Sequence, residues 1–270
     1  MIAFAANSLL CRMALGGGLI DPTSFTAIRI CSGALILVLL LSFRRGVGEK
    51  NPLDWRATAA LFGYMIFFSF AYLSLAAGTG ALILFGSVQL TMFLSALRSG
   101  ERFPALSWIG LGLAFAGLVY LVSPGVTAPN FTGAALMCAA GICWGIYSLL
   151  GRHVSDPLQS TARNFLYSVP LVLGISLVFL SNLDITVRGA ALAVASGALA
   201  SGLGYAIWYT ALAGLTATRA ATIQLSVPAI AAFGGVLLLS ETVTLRLVLA
   251  SLATLCGVAI VLAQRAAQTK

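Results

Sequence analysis

Long stretches without a charged residue are the feature that most constrains this chain. They cover residues 57–97, 103–151, 164–183, 189–218, 220–240 and 247–264. A helix needs about 20 apolar residues to cross the hydrocarbon core of a bilayer, so the two longest stretches must each hold two crossings. Turn-forming residues at 77–80 and 123–130 divide them. Continuous apolar runs favour helices over a membrane barrel, whose strands alternate.

The composition excludes several classes of soluble protein. The chain is 60% hydrophobic and only 8% charged, whereas soluble domains are about 25% charged. A fold of this length in water would expose more surface than so few charges can cover. A soluble enzyme, a nucleic-acid-binding protein and a disordered chain are therefore all disfavoured.

These observations predict an all-α integral membrane protein with ten transmembrane helices. The predicted spans are 1–17, 24–43, 57–77, 80–97, 105–123, 131–151, 163–181, 189–211, 219–239 and 246–264. The first span is short, and either a tilted short helix or a few missing residues would account for it. A secretory signal peptide fits this segment poorly, because no basic residue precedes the apolar run.

Basic residues set the predicted orientation through the positive-inside rule. Most of those outside the spans fall on the side of the N-terminus, and only Arg188 and Arg246 lie in the opposite loops. The first group comprises Arg44, Arg45, Lys50, Arg56, Arg98, Arg102, Arg152, Arg163, Arg219, Arg265 and Lys270. We therefore expect a multi-pass protein of a bacterial-type cytoplasmic (inner) membrane with both termini in the cytoplasm.

The chain also contains an internal repeat. The segment 8–12 recurs at 148–152, and the pairs that follow it in the same order are Asp21-Pro22 with Asp156-Pro157, Gln89 with Gln224, Glu101 with Glu241, and Gly117 with Gly257. The repeats are predicted at 1–124 and 131–265, with five spans each. Because five is odd, the second copy must enter the bilayer in the opposite sense. Inverted repeats are typical of secondary transporters that work by alternating access.

With these features the sequence resembles the drug/metabolite transporter superfamily, and within it the EamA-type permeases. The similarity rests on the two inverted five-helix halves, on a glutamate after the fourth span of each, and on Pro228 upstream of Glu241. The first half departs from this pattern, since Val88 stands where the second half has Pro228. The resemblance implies a basket of helices around a central cavity, with the fifth and tenth spans at the periphery. It also implies export or exchange of small metabolites.

Polar groups inside a bilayer are costly, so each is a candidate for the transport path. Arg29 could hold a substrate carboxylate through two hydrogen bonds, which suggests an amino acid or a related amphipathic carboxylate as the substrate. Alternatively, Arg29 extends to the interface or pairs with Asp21. The other cavity candidates are Asn7, Tyr72, Gln89, Trp144, Ser148, Ser201, Tyr205, Trp208 and Gln224.

Each of these candidates has a simpler structural interpretation. Gln89 and Gln224 could hydrogen-bond across the repeat interface, and Trp208 could belong to the interfacial aromatic belt. In favour of a functional role, Ser201, Tyr205 and Trp208 would share one α-helical face with Gly197 and could form one wall of a substrate cavity. Trp144 and Ser148 could serve packing alone. Pro228 is a candidate hinge, although a static bend is the more common role of such a residue.

The sequence offers little support for other functions. The single histidine, His153, lies in a loop, and the cysteines lack metal-ligand spacing, so neither a metal site nor a cofactor is expected. No buried nucleophile and base can be assembled, which disfavours an intramembrane enzyme. A membrane scaffold without transport stays open as an alternative. The expected partners are a small-molecule substrate and the lipid bilayer, without nucleic acid, in a monomer or a homodimer.

Overall fold

A computed structural model of the chain describes residues 1–44, 54–101, 103–212 and 217–268. The α-helices are α1 (Ile2–Leu15), α2 (Pro22–Phe43), α3 (Trp55–Ala71), α4 (Ala77–Arg98), α5 (Ala105–Val122), α6 (Phe131–Leu150), α7 (Pro157–Val178), α8 (Val187–Val194), α9 (Gly204–Leu212), α10 (Ala217–Gln224), α11 (Ser226–Leu239) and α12 (Leu245–Gln268). The segment Ala195–Leu203 between α8 and α9 is π-helical.

The all-helical membrane architecture predicted from the sequence is confirmed. In the described ranges, eight helical stretches are long and apolar enough to cross a membrane. The remaining two predicted spans correspond to α1 and α3, which have 14 and 17 residues. The number of ten crossings therefore stays a prediction. Of the basic residues that set the predicted orientation, Arg45, Lys50, Arg102 and Lys270 lie outside the described part of the chain.

The repeated Asp-Pro motif starts the second helix of each predicted half. Asp21 precedes α2 and accepts a hydrogen bond from the Ser24 amide at 2.9 Å, and Asp156 precedes α7 and accepts one from the Gln159 amide at 3.1 Å. The aspartate satisfies an amide that the first helical turn leaves unpaired, while the proline fits the first helical position. The sequence repeat thus encodes the same helix start twice.

The helices pack in pairs that join the two predicted halves. Helix α2 packs against α7, α4 against α11, α5 against α12, and α3 against α6. Helix α1 packs against α8 and the π-helical segment. The center of the bundle is therefore built from both halves, and each half depends on the other for its buried surface.

Glycines permit a close approach between α5 and α12. A Cβ atom added to Gly110 would lie 2.6 Å from the carbonyl oxygen of Gly257, and one added to Gly257 would lie 2.5 Å from the amide nitrogen of Ala114. Backbones can approach this closely only where a side chain is missing, as is common between membrane helices.

A second link between the halves lies at one end of the bundle. The Asp21 amide donates to the Asp184 carbonyl at 2.8 Å, and the Thr186 amide donates to the Leu19 carbonyl at 3.0 Å. Burial acts to raise the pKa of Asp21, but hydrogen bonds from Ser24, Thr23 and the Asp184 amide outweigh it, so the pKa lies below its ordinary value. Asp21 therefore stays ionised and holds the two loops together.

The predicted ninth span, 219–239, is helical from Ala221 to Leu239 with a single irregular residue, Leu225. Helix α10 ends at Gln224 and α11 begins at Ser226. The proline ring clashes with the carbonyl of the residue four positions earlier and removes one hydrogen bond, and for Pro228 that residue is Gln224. The break therefore lies where Pro228 should produce it. A hinge function of Pro228 stays a prediction.

We predict that Gly257→Ala lowers the melting temperature of the purified protein, because the added methyl group forces α12 away from α5. Overpacking of this kind costs about 1–3 kcal/mol. The matched control is Gly112→Ala in α5, where a Cβ would have no neighbour within 4 Å. Melting curves in detergent would compare both variants with the parent. Equal curves for the two variants would refute the close packing of α5 and α12.

Candidate functional site

Arg29 lies at the center of the candidate site and is fully buried, with 0% of its surface exposed. Its guanidinium carbon stands 4.9 Å from the centroid of the Phe68 ring and 5.4 Å from that of the Tyr64 ring, both on α3. Neither structural alternative for Arg29 holds. The side chain does not reach the interface, and Asp21 instead accepts hydrogen bonds at the start of α2.

Hydrogen bonds join Arg29 to a set of polar side chains that we call the Arg29 network: Asn7, Arg29, Tyr64, Ser196 and Ser201. Arg29 donates from Nε to the Ser201 hydroxyl at 3.4 Å and from Nη2 to the Tyr64 hydroxyl at 3.1 Å. Asn7 Nδ2 donates to the same Tyr64 oxygen at 3.5 Å, and Ser196 donates to Asn7 Oδ1. Four separate elements therefore converge on one buried polar group.

One end of the guanidinium is left without a partner. Arg29 Nη1 is buried and has no hydrogen-bond partner among the described residues. Within those same ranges, the ion pairs join Arg12 to Glu241 and Arg44 to Asp156, and none involves Arg29. An unpaired charge out of water costs several kcal/mol. The arrangement therefore suits an anion that pairs with Nη1.

An aromatic cluster lies beside the Arg29 network and shares Tyr64 with it. The rings of Tyr64 and Trp144 are 4.8 Å apart, and Trp144 stands 5.4 Å from Tyr205. Phe4 closes the group at 5.9 Å from both Tyr205 and Trp208. We define the aromatic cluster as Phe4, Tyr64, Trp144, Tyr205 and Trp208. It gives the site an apolar wall that meets the guanidinium at Tyr64.

The eighth span is not α-helical throughout. The sequence interpretation assumed an α-helix throughout, but Ala195–Leu203 is π-helical. Ser201 contacts the Arg29 side chain, and a Cβ on Gly197 would collide with the Arg29 carbonyl, so both residues face α2. Gly197 has no side chain that could donate a hydrogen bond, and Ser196 joins Ser201 in the network through its hydroxyl group.

Two of the sequence candidates, Tyr72 and Ser148, lie close to the site, but their hydroxyl groups donate to nearby carbonyl oxygens. Tyr72 is fully buried and donates to the Ala77 carbonyl at 3.3 Å. Ser148 is half-buried and donates to the Trp144 carbonyl in its own helix at 2.8 Å. Tyr72 thus packs the end of α3 against α4, and Ser148 satisfies its hydroxyl locally.

The structure places Gln89 away from the Arg29 network. Gln89 lines a cavity of about 30 Å³ together with residues of α4, α5 and α12, and its Nε2 atom has no partner among the described residues. Gln224 is half-buried at the end of α10. Its neighbours Ala221 and Leu225 pack on a small core formed by α5 and α12. Both glutamines therefore lie nearer the α5–α12 pair than the aromatic cluster.

An ion pair closes one end of the bundle. Arg12 Nε lies 3.1 Å from Glu241 Oε1, and Arg12 Nη1 donates to the carbonyl oxygens of Tyr72 and Leu73. Glu241 Oε2 also accepts the Ala77 amide at 2.8 Å, at the positive end of α4. Arg246, which follows Glu241 by five residues, donates to the carbonyls of Ser123 and Pro124.

The sequence profile of the EamA-like transporter family matches residues 1–123 and again residues 131–263. The chain belongs to the EamA-like transporter family. It is a membrane transporter of the drug/metabolite type, and this membership indicates a permease without enzymatic activity.

Named relatives agree with this assignment. The chain is 51% identical to an uncharacterized protein of Pseudomonas aeruginosa, over 98% of this chain and 92% of that protein. It is 28% identical to the threonine/homoserine exporter RhtA of Salmonella typhimurium, over 84% of this chain and 77% of RhtA. A solved crystal structure shares the fold, with a TM-score of 0.67, 21% identity and coverage of 98% of this chain and 97% of the other.

Several residues of the site in this EamA-like transporter were not among the sequence candidates. These are Phe4, Tyr64, Phe68 and Ser196, together with the Arg12–Glu241 pair. Tyr64 and Phe68 are four residues apart, so they share a helical face on which a cation could rest. That spacing was a usable signal for Tyr64. Phe4 and Ser196 carry no such signal in a chain this rich in apolar and small residues.

We predict an interaction between Arg12 and Glu241 that a double-mutant cycle detects. Arg12→Gln and Glu241→Gln, singly and together, should give a coupling energy of about 0.5–3 kcal/mol, because both side chains are largely buried, with 25% and 15% exposed. Unfolding by SDS titration in mixed micelles would measure it.

The matched control is the pair Arg44–Asp156, in which the arginine side chain is 53% exposed. Its coupling, measured with Arg44→Gln and Asp156→Asn, should be about 0–1 kcal/mol. A coupling at Arg12–Glu241 no larger than that of the control pair would contradict the prediction.

Proposed function

We propose that this EamA-like transporter exports or exchanges small amphipathic carboxylates, amino acids first among them, by alternating access. The observation that carries the proposal is the buried guanidinium of Arg29, whose Nη1 lacks a partner in the described residues. A carboxylate would supply both the missing acceptor and the missing negative charge. Charge-assisted hydrogen bonds of this kind are stronger than neutral ones.

The surroundings of Arg29 favour a substrate with an apolar part. The aromatic cluster offers ring faces and edges, and Tyr64 belongs both to it and to the Arg29 network. A substrate could therefore place its carboxylate at Arg29 and pack its carbon skeleton on Trp144 and Tyr205. The name of the relative RhtA, a threonine/homoserine exporter, supports amino acids and the outward direction.

The proposed transport cycle uses the two predicted halves, 1–124 and 131–265, as inverted repeats. In the orientation predicted by the positive-inside rule, both termini are cytoplasmic, and the Arg12–Glu241 pair faces the outside of the inner membrane. This pair joins α1, α4 and the end of α11, so its contacts hold the outer end closed. We propose that opening separates them, with the helix break near Pro228 as the hinge.

We predict that Arg29→Ala abolishes export while the amount of protein in the membrane stays unchanged. Loss of a hydrogen bond to a charged group costs about 1.5–3 kcal/mol, so Arg29→Lys should weaken substrate binding by roughly tenfold or more. The measurement is a metabolite-export screen on overexpressing and deletion cells, followed by uptake of labelled threonine into proteoliposomes.

The matched control is Arg188→Ala, which removes an exposed arginine next to the start of α8 and should transport like the parent. Parental export by Arg29→Ala would overturn the role of Arg29. A screen in which overexpression changes no amino acid or other carboxylate would overturn the substrate class.

A further inference from the structure

The π-helical segment Ala195–Leu203 supplies both ends of the Arg29 network. Ser196 and Ser201 are 0% and 1% exposed. The Ser196 hydroxyl donates to Asn7, and the Ser201 hydroxyl accepts from Arg29 Nε. Short π-helical insertions are rare and occur often at functional sites. The segment therefore needs an explanation beyond packing.

The π register is what brings these two hydroxyls to the same place. In an α-helix, residues three or four apart share a face, and residues five apart do not. A π turn closes its hydrogen bonds between residues five apart, which brings Ser196 and Ser201 closer to a common face than an α-helix would. An uninterrupted α-helix would direct Ala200, rather than Ser201, to the face of Ser196.

Contact with α2 leaves little room for any other arrangement of this segment. A Cβ added to Gly197 would collide with the Arg29 carbonyl and the Ser32 hydroxyl, and one added to Gly202 would stand 3.0 Å from Ile36 Cγ2. The backbone of the π-helical segment therefore lies directly on α2, from Arg29 to Ile36. The position of Ser201 is fixed by this backbone contact.

The hydroxyl groups of Ser201 and Tyr64 restrain the Arg29 guanidinium through two of its three nitrogen atoms. Ser201 holds Nε at 3.4 Å, and Tyr64, which also accepts from Asn7, holds Nη2 at 3.1 Å. The guanidinium is planar, so two fixed nitrogens determine where the third points. Nη1 is the nitrogen that remains unpartnered among the described residues. The network therefore fixes the direction of Nη1 and leaves this nitrogen free to donate to a further group.

We propose that Ser196 and Ser201 are positioning residues, and that the π register of the eighth span exists to orient Arg29 for its substrate. Ser201 acts on the guanidinium directly, and Ser196 acts through Asn7 and Tyr64. The inference rests on the proposed function in one respect, namely that Arg29 binds the substrate. The orientation of Arg29 itself is independent of that assumption and can be measured without a substrate.

The test of orientation is NMR of purified protein labelled with ¹⁵N-arginine, with the Arg29 Nε–H signal assigned by its absence in Arg29→Lys. Ser201→Ala should shift that signal and speed its exchange with water, and Ser201→Thr, which keeps the hydroxyl, should restore the parental signal. Ser168→Ala is the matched control, because Ser168 is equally buried but bonds only the Asn164 carbonyl of its own helix.

A variant that moves the hydroxyl group by one residue tests whether the π-helical register, rather than an α-helix, orients Arg29. The double variant Ala200→Ser/Ser201→Ala moves the hydroxyl to the position that an α-helix would direct at the network, and Ala200 is buried at 3% exposed. With a π register it should behave like Ser201→Ala. Restoration of the parental Arg29 signal by this variant would refute the π register as the orienting device.

Transport of labelled threonine in proteoliposomes then distinguishes the two proposals. Ser201→Ala and Ser196→Ala should raise the half-saturating concentration roughly tenfold, with a smaller change in the maximal rate, and the threonine variants should reverse the change. If Ser201→Ala shifts the Arg29 signal while Arg29→Ala transports normally, the proposed function fails and the positioning stands. If Ser201→Ala gives the same Arg29 signal and the same transport as the control Ser168→Ala, the positioning inference fails and the proposed function is unaffected.

Discussion

A positive charge buried without a negative partner is the constraint on which the rest of this structure depends. Arg29 is fully enclosed, and the described residues give it two hydroxyl groups and two aromatic rings but no carboxylate. Hydroxyl groups and ring faces offset only part of the cost of removing a guanidinium from water. A guanidinium buried in a membrane span is therefore stabilised most when an anion pairs with it.

The groups around Arg29 come from parts of the chain that are far apart in sequence. Asn7, Tyr64 and Ser201 lie on three different elements, and each contributes one polar atom to the same network. Because lipid offers no hydrogen bonds, these polar atoms can be satisfied only when the elements come together. The candidate site is therefore formed by the same contacts that pack the predicted halves together.

The sequence predicted the membrane fold well because its signals are local. Charge-free stretches mark the spans, and the Asp-Pro motif at Asp21 and Asp156 marks two helix starts that the structure contains. Pro228 lies four residues after Gln224, where the helix of the ninth span is irregular, and its role as a hinge stays a prediction. Helical faces were harder to predict, because the surface that meets lipid and the surface that meets other helices are both apolar. Hydrophobic periodicity, which orients helices in soluble proteins, has little contrast here.

The sequence by itself determined that the chain is an all-helical membrane protein, and it singled out Arg29 as a charge within a predicted span, since both follow from composition along the chain. Only the tertiary structure decided that Tyr64 and Ser196 belong to the site, that Glu241 pairs with Arg12, and that Gln89 lies beside α5 and α12. It also decided the π register of the eighth span. The physical reason is that these features depend on which helices touch, and a polar group in a membrane takes its partner from whichever neighbour the packing provides.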